Sequence, residues 1–380
     1  MAEKVVVGMS GGVDSSVAGY LLKKQGYDVI GVTMQIWQSD DVCSLENKGG
    51  CCGVSAVEDA RRVASVIGIP YYVMNFKNEF RENVIDYFAN SYRRGETPNP
   101  CIACNRYVKW EALLNRALAL GADYIATGHY AKISKLTNGR YTIANSVTAA
   151  KDQTYALYNL TQEQLSHTLL PIGDYEKPRV RAIAEEAGLP VASKPDSEEI
   201  CFVPDGDYAK FLRENYNISE KPGNFIDEEG NILGGHRGII HYTIGQRKGL
   251  GIAFGKPMYV KEIRPDDNTV VLSDNEGLFK RHVTAGNVNF MAYSYDELIK
   301  MAGKGYEFTG KVRYNHKGDT CKIRLVKMPV GPETREIKIQ ADFEKGVRAP
   351  APGQALVIYD KEGNVACGGT ITGGNLADGI

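Results

Sequence analysis

The chain has 380 residues, which is enough for two or three domains of about 150 residues each. Its 43% hydrophobic and 24% charged residues are ordinary values for a soluble globular protein. No apolar run approaches the roughly 20 residues of a membrane span, and the N-terminus does not read as a signal peptide, so we expect a cytoplasmic protein. The formal net charge of −1 neither requires nor excludes a nucleic-acid partner, because such binding needs only a local basic face.

Apolar runs and helical patterns alternate along roughly the first half of the chain. Strands are predicted at "KVVVG", "DVIGVTM", "PYYVMNF" and "DYIATGHY", with helical spacing of apolar residues between them. Strands that alternate with helices indicate a parallel sheet covered on both faces. "LTNGRYTI" then contains Asn138-Gly139, a strong hairpin signal, and "KPRVRAIAEEAGLP" predicts a helix that begins through Pro178 and ends at Gly188.

The composition changes after about Cys201. The next stretch is rich in Gly, Asn and Pro, and from about Val283 onward strand-like runs such as "TCKIRLVK" alternate with turn residues. The second pattern suits a small β-barrel or a sandwich. We therefore expect domain boundaries near residues 205 and 280.

The stretch "VVVGMSGGVDSS" carries the clearest signal for a ligand. Gly11 and Gly12 lie between a predicted strand and a predicted helix, so their backbone N–H groups can approach a ligand without a Cβ in the way. The helix N-terminus adds donors and a partial positive charge, which favours phosphate. For two glycines alone, the alternative is a simple turn in which Ser10 or Asp14 caps the helix.

The complete string "SGGVDS" after a buried strand resembles the phosphate loop of the PP-loop ATP pyrophosphatases, an adenine-nucleotide hydrolase-like superfamily. The resemblance implies that the loop holds the pyrophosphate of ATP while a substrate oxygen attacks the α-phosphate. The loop alone does not identify the acceptor. The G-x-x-x-x-G-K-[ST] loop of γ-phosphate-transferring enzymes does not occur in the sequence.

Further strings resemble the tRNA-specific 2-thiouridylases from end to end. They are "GETPNPCIACN", "ATGHYAKI", "KDQTYALYNL", "SEEICFVPDGDYAKFL", "HYTIGQRKGLGI", "KVRYNHK" and "APGQALVIYD". The resemblance implies an α/β chain with a parallel-sheet PP-loop domain at 1–205, a small central α+β domain at 206–280 and a β-barrel domain contacting tRNA at 281–380. It also implies the reaction. ATP and Mg²⁺ serve to adenylate O2 of the wobble uridine in the anticodon loop, and a cysteine persulfide then transfers sulfur to C2.

The resemblance assigns a role to each matching residue. The nucleophile is Cys104, the cysteine directly before the asparagine of "CIACN", and the persulfide carrier is Cys201 in "EEICF". The nucleotide-binding positions are Gly8, Met9, Ser10, Gly11, Gly12, Val13, Asp14, Ser15, Met34 and Gly128. The positions that contact tRNA are Asn99, Pro100, Cys101, His129, Lys151, Asp152, Gln153, Arg313, Tyr314 and Gln354.

Thiolation of uracil explains why both ATP and two thiols are needed. The C2 carbonyl is a poor electrophile, and adenylation of O2 supplies a good leaving group. A persulfide delivers sulfur without free sulfide, and a second thiol resolves the intermediate as a disulfide that an external reductant reopens. We expect both cysteines on loops at the carboxyl edge of the sheet, and an upstream persulfide donor such as a cysteine desulfurase or a sulfur relay protein. Some relatives have an aspartate where this chain has Cys101, so no acid–base role is transferred to that position.

The sequence also permits other interpretations. Cys101, Cys104 and Cys201 would supply three thiolates to a [4Fe-4S] cluster that carries sulfide on its fourth iron. Another PP-loop ATP-dependent ligase would need no paired cysteines. A non-catalytic tRNA-binding module would hold a structural zinc ion, for which a single CxxC gives too few ligands. A Gly-rich stretch that could hold zinc or assist sulfur delivery contains Cys43, Cys51 and Cys52.

Overall fold

A computed structural model of the chain describes residues 2–36, 54–196, 200–203, 205–218, 220–329 and 335–373. Cys43, Cys51 and Cys52 lie outside the described residues. Up to residue 206 the helices and strands are β1 (Lys4–Gly8), α1 (Val13–Lys24), β2 (Asp28–Gln35), α2 (Val54–Ile67), β3 (Tyr71–Asn75), α3 (Lys77–Phe80), α4 (Asp86–Arg93), α5 (Pro100–Ala103), α6 (Leu114–Ala119), β4 (Tyr124–Ala126), β5 (Lys132–Lys135), β6 (Tyr141–Ala144), α7 (Gln162–Ser166), β7 (Thr168–Leu169) and α8 (Lys177–Glu186).

The later elements are mostly strands. They are α9 (Tyr208–Tyr216), β8 (Gly223–Ile226), β9 (Ile232–His236), β10 (Tyr259–Arg264), β11 (Thr269–Ser273), β12 (Phe279–Phe290), α10 (Tyr295–Gly303), β13 (Phe308–Lys311), β14 (Asp319–Pro329), β15 (Arg335–Arg348), β16 (Ala355–Tyr359) and β17 (Val365–Ile371). Two π-helical stretches, Arg81–Ile85 and Cys104–Leu113, join α3 to α4 and α5 to α6. Among the helices described, none combines the length and apolar character that crossing a membrane requires.

The chain divides into two compact units, and each is made of separate segments. The first unit consists of Met1–Ile85, Pro100–Gly206 and Gly363–Val365. The second unit consists of Asp86–Asn99, Asp207–Glu362 and Ala366–Ile380. The expected boundaries near 205 and 280 stay predictions.

The first unit is built on a parallel sheet with the strand order β3-β2-β1-β4-β7. Val5, Val6 and Val7 of the central strand β1 are fully buried, as an uninterrupted apolar run predicts for a strand that is covered on both faces. Apolar residues of α1, α2 and α8 form one core cluster with β1. The predicted parallel α/β architecture is confirmed. Because the strands are parallel, the carboxyl ends of β1, β2 and β4 meet at one edge of the sheet.

Two local predictions in the first unit are also confirmed. β5 and β6 pair as an antiparallel hairpin, with Gly139 at φ +83° in its turn. Helix α8 has its proline in the first turn, and Gly188 follows its end with φ +65°. The short segment Gly363–Val365 adds to this unit beside β6, where the carbonyl of Gly363 accepts from N of Asn145 at 3.1 Å.

The second unit contains a small sheet and a closed barrel. The small sheet has the order β10-β11-β8-β9, and the barrel closes in the order β12-β15-β14-β13-β16-β17. The C-terminal β-barrel that the family resemblance implied is confirmed, and the sandwich left open by the strand pattern is excluded. Cys321 and Cys367 are buried in its core. Helix α4 also belongs to this unit, where the hydroxyl of Tyr216 donates to Asp86 at 2.5 Å.

Candidate active site

The loop after β1 is fixed by its neighbours in the sheet. The backbone N of Met9 donates to the carbonyl of Val32 at 2.8 Å, and Oγ1 of Thr33 donates to the carbonyl of Met9 at 2.7 Å. Gly11 has φ +70°, and a Cβ at this position would lie 2.4 Å from the carbonyl oxygen of Ala56. Only glycine fits a backbone held this way, so the loop requires the residue that the motif supplies.

Helix α1 begins without a side-chain cap. Its N-cap residue is Gly12, and neither Ser10 nor Asp14 caps it, so the capping alternative is wrong. Ser15 stabilises the loop instead, because its Oγ accepts from N of Ser10 at 3.1 Å and donates to the carbonyl of Gly12 at 3.2 Å. The first turn of α1 therefore presents backbone donors and a partial positive charge to a bound anion.

Gly128 brings the end of β4 against the same loop. A Cβ on Gly128 would lie 2.5 Å from both the carbonyl carbon of Asp14 and the backbone N of Ser15. Met34 is half-buried near the end of β2. The positions predicted for the nucleotide, from Gly8 to Ser15 with Met34 and Gly128, therefore lie at the carboxyl ends of three neighbouring strands.

The side chain of Asp14 belongs to an ion-pair cluster. Its two carboxylate oxygens each accept a 2.8 Å hydrogen bond from Nζ of Lys177, the first residue of α8. The hydroxyl of Tyr130 donates to Oδ1 of Asp14 at 2.7 Å. Burial, followed by the neighbouring Asp14 carboxylate, raises the pKa of the Tyr130 hydroxyl, which therefore stays a hydrogen-bond donor at neutral pH.

Asp196 is the second carboxylate of this cluster. Nζ of Lys177 lies 2.7 Å from Oδ1 of Asp196, Nζ of Lys151 donates to Oδ2 at 2.9 Å, and Arg181 donates to Oδ1 at 3.1 Å. Burial alone would raise the pKa of Asp196, but the hydrogen bonds from Lys177 and Lys151 outweigh it and lower that pKa. Asp196 is therefore ionised at neutral pH.

Lys194 connects the chain beside Asp196 to the phosphate loop. Its Nζ donates to the carbonyl of Gly11 at 3.0 Å and to Asp59 of α2 at 2.7 Å. No sequence motif predicted a role for Lys177, Lys194 or Asp196. Nothing in the strings "EKPRVR" and "SKPDS" distinguishes a partly buried ion pair from ordinary surface charges.

Cys104 lies in a helix and not on a loop, which corrects the prediction for this cysteine. It is the half-buried first residue of the π-helical stretch, whereas Cys101 in α5 is exposed. The next residue, Asn105, is buried, donates to the carbonyl of Ala156 at 2.9 Å and accepts from Lys109 at 2.9 Å. Cys104 is thus held in a fixed helical position by the residue that follows it.

Cys201 lies in a turn and is half-buried. N of Val203 donates to the carbonyl of Ile200 across this turn at 2.8 Å. The ring of Phe202 packs edge-on against Phe80 of α3, with 5.8 Å between the ring centroids. Helix α3 also packs against the π-helical stretch that begins at Cys104. Helix α3 therefore contacts both the turn that holds Cys201 and the helical stretch whose first residue is Cys104.

Four of the positions predicted to contact tRNA follow in the first unit. The ring of His129 lies 5.5 Å from that of Trp110, and its Nδ1 is 2.7 Å from Oγ1 of Thr127. Burial, followed by the charge of Lys109, holds the pKa of His129 well below its usual value, so the ring is neutral at pH 7. The other three side chains form hydrogen bonds within the first unit. Nζ of Lys151 donates to Asp196, the carboxylate of Asp152 accepts from N of Ser146, and the side chain of Gln153 accepts from N of Tyr130.

The remaining tRNA positions, apart from Pro100 and Cys101, belong to the second unit. Asn99 is half-buried, and Nε2 of Gln354 donates to the carbonyl of Thr97 at 2.9 Å. Arg313 donates to the carbonyl of Arg348 at 2.6 Å, and the neighbouring Tyr314 is 41% exposed. Gln354 therefore lies beside the segment that ends at Asn99.

The residues do not fit a metal cluster. Within the described ranges, no group of three or more His, Cys, Asp or Glu side chains could hold a metal ion, and these ranges include Cys101, Cys104 and Cys201. The three thiols are therefore not arranged as a common ligand set for iron.

Comparisons with known proteins match the chain to tRNA-modifying enzymes over nearly its whole length. The family model described as "tRNA methyl transferase HUP domain" matches residues 3–205, and "tRNA methyl transferase PRC-barrel domain" matches residues 209–274. The tRNA-specific 2-thiouridylase MnmA of Lachnoclostridium phytofermentans is 59% identical over 97% of this chain and 98% of its own length. The enzyme of the same name from Clostridioides difficile is 56% identical over 98% of both chains. A solved 4-thiouridine synthetase–RNA complex with bound ATP is a distant likeness, with 19% identity, 56% of this chain and 50% of that chain covered, and a TM-score of 0.33.

Proposed function

The chain belongs to the family of tRNA-specific 2-thiouridylases, and we propose that it catalyses the reaction named by these relatives, the ATP-dependent replacement of O2 by sulfur in a tRNA uridine. One observation carries the proposal. A single unit combines an uncapped helix start after "SGG" with two half-buried cysteines whose surroundings pack on the same helix, α3. These are the two halves of the chemistry, activation by a nucleotide and delivery of sulfur.

The nucleotide half uses the loop from Gly8 to Ser15. Backbone donors at the start of α1 bind the pyrophosphate part of ATP, and close packing at Gly11 and Gly128 gives the loop a fixed shape. O2 of the uridine attacks the α-phosphorus, the α–β bridging bond breaks and pyrophosphate leaves. The uridine then carries AMP on O2, which makes C2 open to substitution.

Magnesium fits this site as a companion of ATP. Mg²⁺ keeps several waters and commonly needs only one or two carboxylates beside substrate phosphates. Asp14 is the carboxylate of the loop, but Lys177 holds both of its oxygens. The side chains therefore suit an ion that arrives on the nucleotide and neutralises phosphate charge there.

The sulfur half uses Cys201 and Cys104. The terminal sulfur of a persulfide on Cys201 attacks C2 and displaces AMP, which leaves the base joined to Cys201 through a disulfide. The Cys104 thiolate attacks Sγ of Cys201, so the base departs with its sulfur and a Cys104–Cys201 disulfide forms. An external dithiol reductant supplies the two electrons that reopen it. The [4Fe-4S] route has no support from the arrangement of the thiols.

Two partners follow from this reaction. We take the uridine to be the wobble base of the anticodon loop, as the family resemblance implies; a loop base can be splayed from the stack to reach a reactive site. The candidate contacts in the first unit include His129 and Lys151 to Gln153, and those in the second unit include Arg313, Tyr314 and Gln354. A persulfide donor of the cysteine desulfurase or sulfur relay type loads Cys201.

One assay tests the whole proposal. Purified protein is incubated with unmodified tRNA, ATP, Mg²⁺, a persulfide donor and a reductant, and the nucleosides are analysed by mass spectrometry. We expect 2-thiouridine, with AMP and pyrophosphate formed in equal amounts. Accumulation of ADP would contradict the assignment of the phosphate loop. AMP formation without any thiolated nucleoside would favour another PP-loop ligase.

A further inference from the structure

The ammonium group of Lys177 lies against two carboxylates. Its Nζ donates hydrogen bonds of 2.8 Å to both oxygens of Asp14 and forms an ion pair with Oδ1 of Asp196 at 2.7 Å. The side chain is only 12% exposed, and it packs near the ring of Tyr130. Such a lysine is not available to bind a phosphate without first leaving its carboxylates.

The position of Asp14 suggests a role for its ion pair with Lys177. Asp14 lies in the first turn of α1, at the helix end that accepts a polyphosphate. Without a ligand, a carboxylate at this helix end interacts favourably with the helix dipole. When an anionic ligand binds at the same end, the carboxylate repels it. An ion pair with Lys177 removes this repulsion at the end of α1 that presents backbone donors.

We propose that Lys177 is a positioning residue for the nucleotide, which neutralises Asp14 and holds its carboxylate away from the polyphosphate. Asp196 fixes Lys177 in turn, and Lys151 and Arg181 balance the second carboxylate. This inference rests on the proposed function only in taking ATP as the ligand.

The test measures ATP and pyrophosphate binding to the full chain by calorimetry, with and without Mg²⁺. Lys177→Met should weaken binding by about tenfold or more, as expected for one uncompensated charge several ångströms away at the effective dielectric of a protein surface. Lys177→Arg should retain most of the affinity, because the guanidinium can still bridge two carboxylates. Lys132→Met is the matched control, since Lys132 forms a more exposed pair with Asp174 at 3.7 Å; it should bind ATP like the unmodified chain.

A second substitution separates charge from mere structural support. Asp14→Asn in the Lys177→Met background should restore most of the lost affinity, since it removes the repelling charge. Asp14→Asn alone keeps the number of heavy atoms and is expected to fold; it should bind pyrophosphate without the loss seen in Lys177→Met, because the repelling charge is absent. Melting curves of the same samples serve as the folding control, so that affinities are compared only between folded proteins.

Several results would overturn the inference. These are unchanged binding in Lys177→Met, loss in Lys177→Arg as large as in Lys177→Met, and failure of Asp14→Asn to restore affinity. Weaker binding by Asp14→Asn only when Mg²⁺ is present would also overturn it, because Asp14 would then be a metal ligand. Failure of the proposed function would give a different result. The ATP affinities of the variants would still rank as stated above, but no 2-thiouridine would form.

Discussion

Cysteine side chains in the described residues fall into two chemical groups. Cys321 and Cys367 are buried in the barrel, where burial raises the pKa of Cys321 to about 12 and that of Cys367 further still. Cys101 is exposed, and Cys104 and Cys201 are half-buried. Because the thiolate is the reactive form, the two barrel cysteines are unsuited to sulfur transfer.

Single substitutions of the three cysteines outside the barrel should therefore differ. Cys104→Ser and Cys201→Ser should each abolish 2-thiouridine formation, because a hydroxyl can neither carry nor resolve a persulfide. Cys101→Ser, the same change only three positions from Cys104, should retain substantial activity and serves as the matched control. Thiolated nucleosides are quantified by mass spectrometry. Unimpaired thiolation by Cys104→Ser or Cys201→Ser would show that the assigned site is wrong.

Gly128 provides a steric prediction at the nucleotide loop. Gly128→Ala should weaken ATP binding strongly, because the new Cβ would lie 2.5 Å from backbone atoms of Asp14 and Ser15 and would displace the loop. Gly303→Ala in α10 is the matched control, since its Cβ would meet nothing within 4 Å. Alanine in a helix is favoured over glycine by up to about 1 kcal/mol, so the control should be at least as stable as the unmodified chain. Equal ATP dissociation constants for both variants would contradict the packing described here.

At the scale of elements, the π-helical stretch that begins at Cys104 is the most informative. Such stretches are rare and occur often at functional sites. Its position is fixed by buried groups, because Asn105 bonds to Ala156 and Nε1 of Trp110 donates to Oγ1 of Thr168 at 2.7 Å. The helix therefore presents Cys104 from a rigid support, while Cys201 is presented from a turn.

Helix α10 allows a direct test of how an element begins. Oγ of Ser294 accepts from N of Glu297 at 3.3 Å, and the Glu297 carboxylate accepts from N of Ser294 at 2.8 Å, which forms a capping box. Ser294→Ala should lower the free energy of unfolding by about 1 kcal/mol, whereas Ser294→Thr should retain most of it. Urea unfolding gives the comparison, and thiolation should be unchanged in both. A midpoint for Ser294→Ala equal to that of the unmodified chain would count against this cap.

For the whole molecule, four buried or partly buried histidines predict how stability depends on pH. Burial lowers the pKa of His129, His236, His241 and His316. In the unfolded chain these rings take up protons near pH 6.5, while in the folded chain they do so only at lower pH. The unfolded state therefore binds more protons below about pH 6.5, and stability must fall as the pH falls through that window.

Thermal unfolding followed from about pH 7.5 to about pH 5.5 tests this sign, because the window contains the histidine titrations and lies above those of ordinary carboxylates. We expect the melting temperature to decrease steadily on acidification. A melting temperature that stays constant or rises over this interval would contradict the stated direction of the four shifts.

The sequence predicted the parallel sheet, the hairpin and helix α8 because each depends on neighbours in the chain. Apolar period and turn residues such as Gly139 and Gly188 determine these elements locally. The phosphate loop was also predictable, since "SGG" after a buried strand leaves few alternatives. The strand pattern alone left a barrel and a sandwich open, because no local pattern encodes strand pairing; the barrel was predicted by the family resemblance.

The ion-pair cluster was not predictable for the opposite reason. Lys177 and Asp14 are 163 positions apart, and their contact exists only after α8 has packed against α1. The helical position of Cys104 was not predicted because "TPNPCIACN" contains two prolines, which favour a loop. The structure shows that Pro100 starts α5, a position where proline is well tolerated.

The interleaved segments of the two units have a consequence for folding during synthesis. Gly363–Val365 forms an isolated bridge to Ala144 of β6, so the first unit gains these last contacts only after the ribosome has made nearly the whole chain. Conversely, α4 is synthesised early, but its partner α9 is synthesised later. The ring centroids of Tyr92 in α4 and Tyr208 in α9 lie 4.9 Å apart. Neither unit can therefore finish folding as an N-terminal domain while the rest is translated. We expect ribosome-bound chains that stop before Gly363 to remain open to proteolysis, even though every residue of the phosphate loop has already been made.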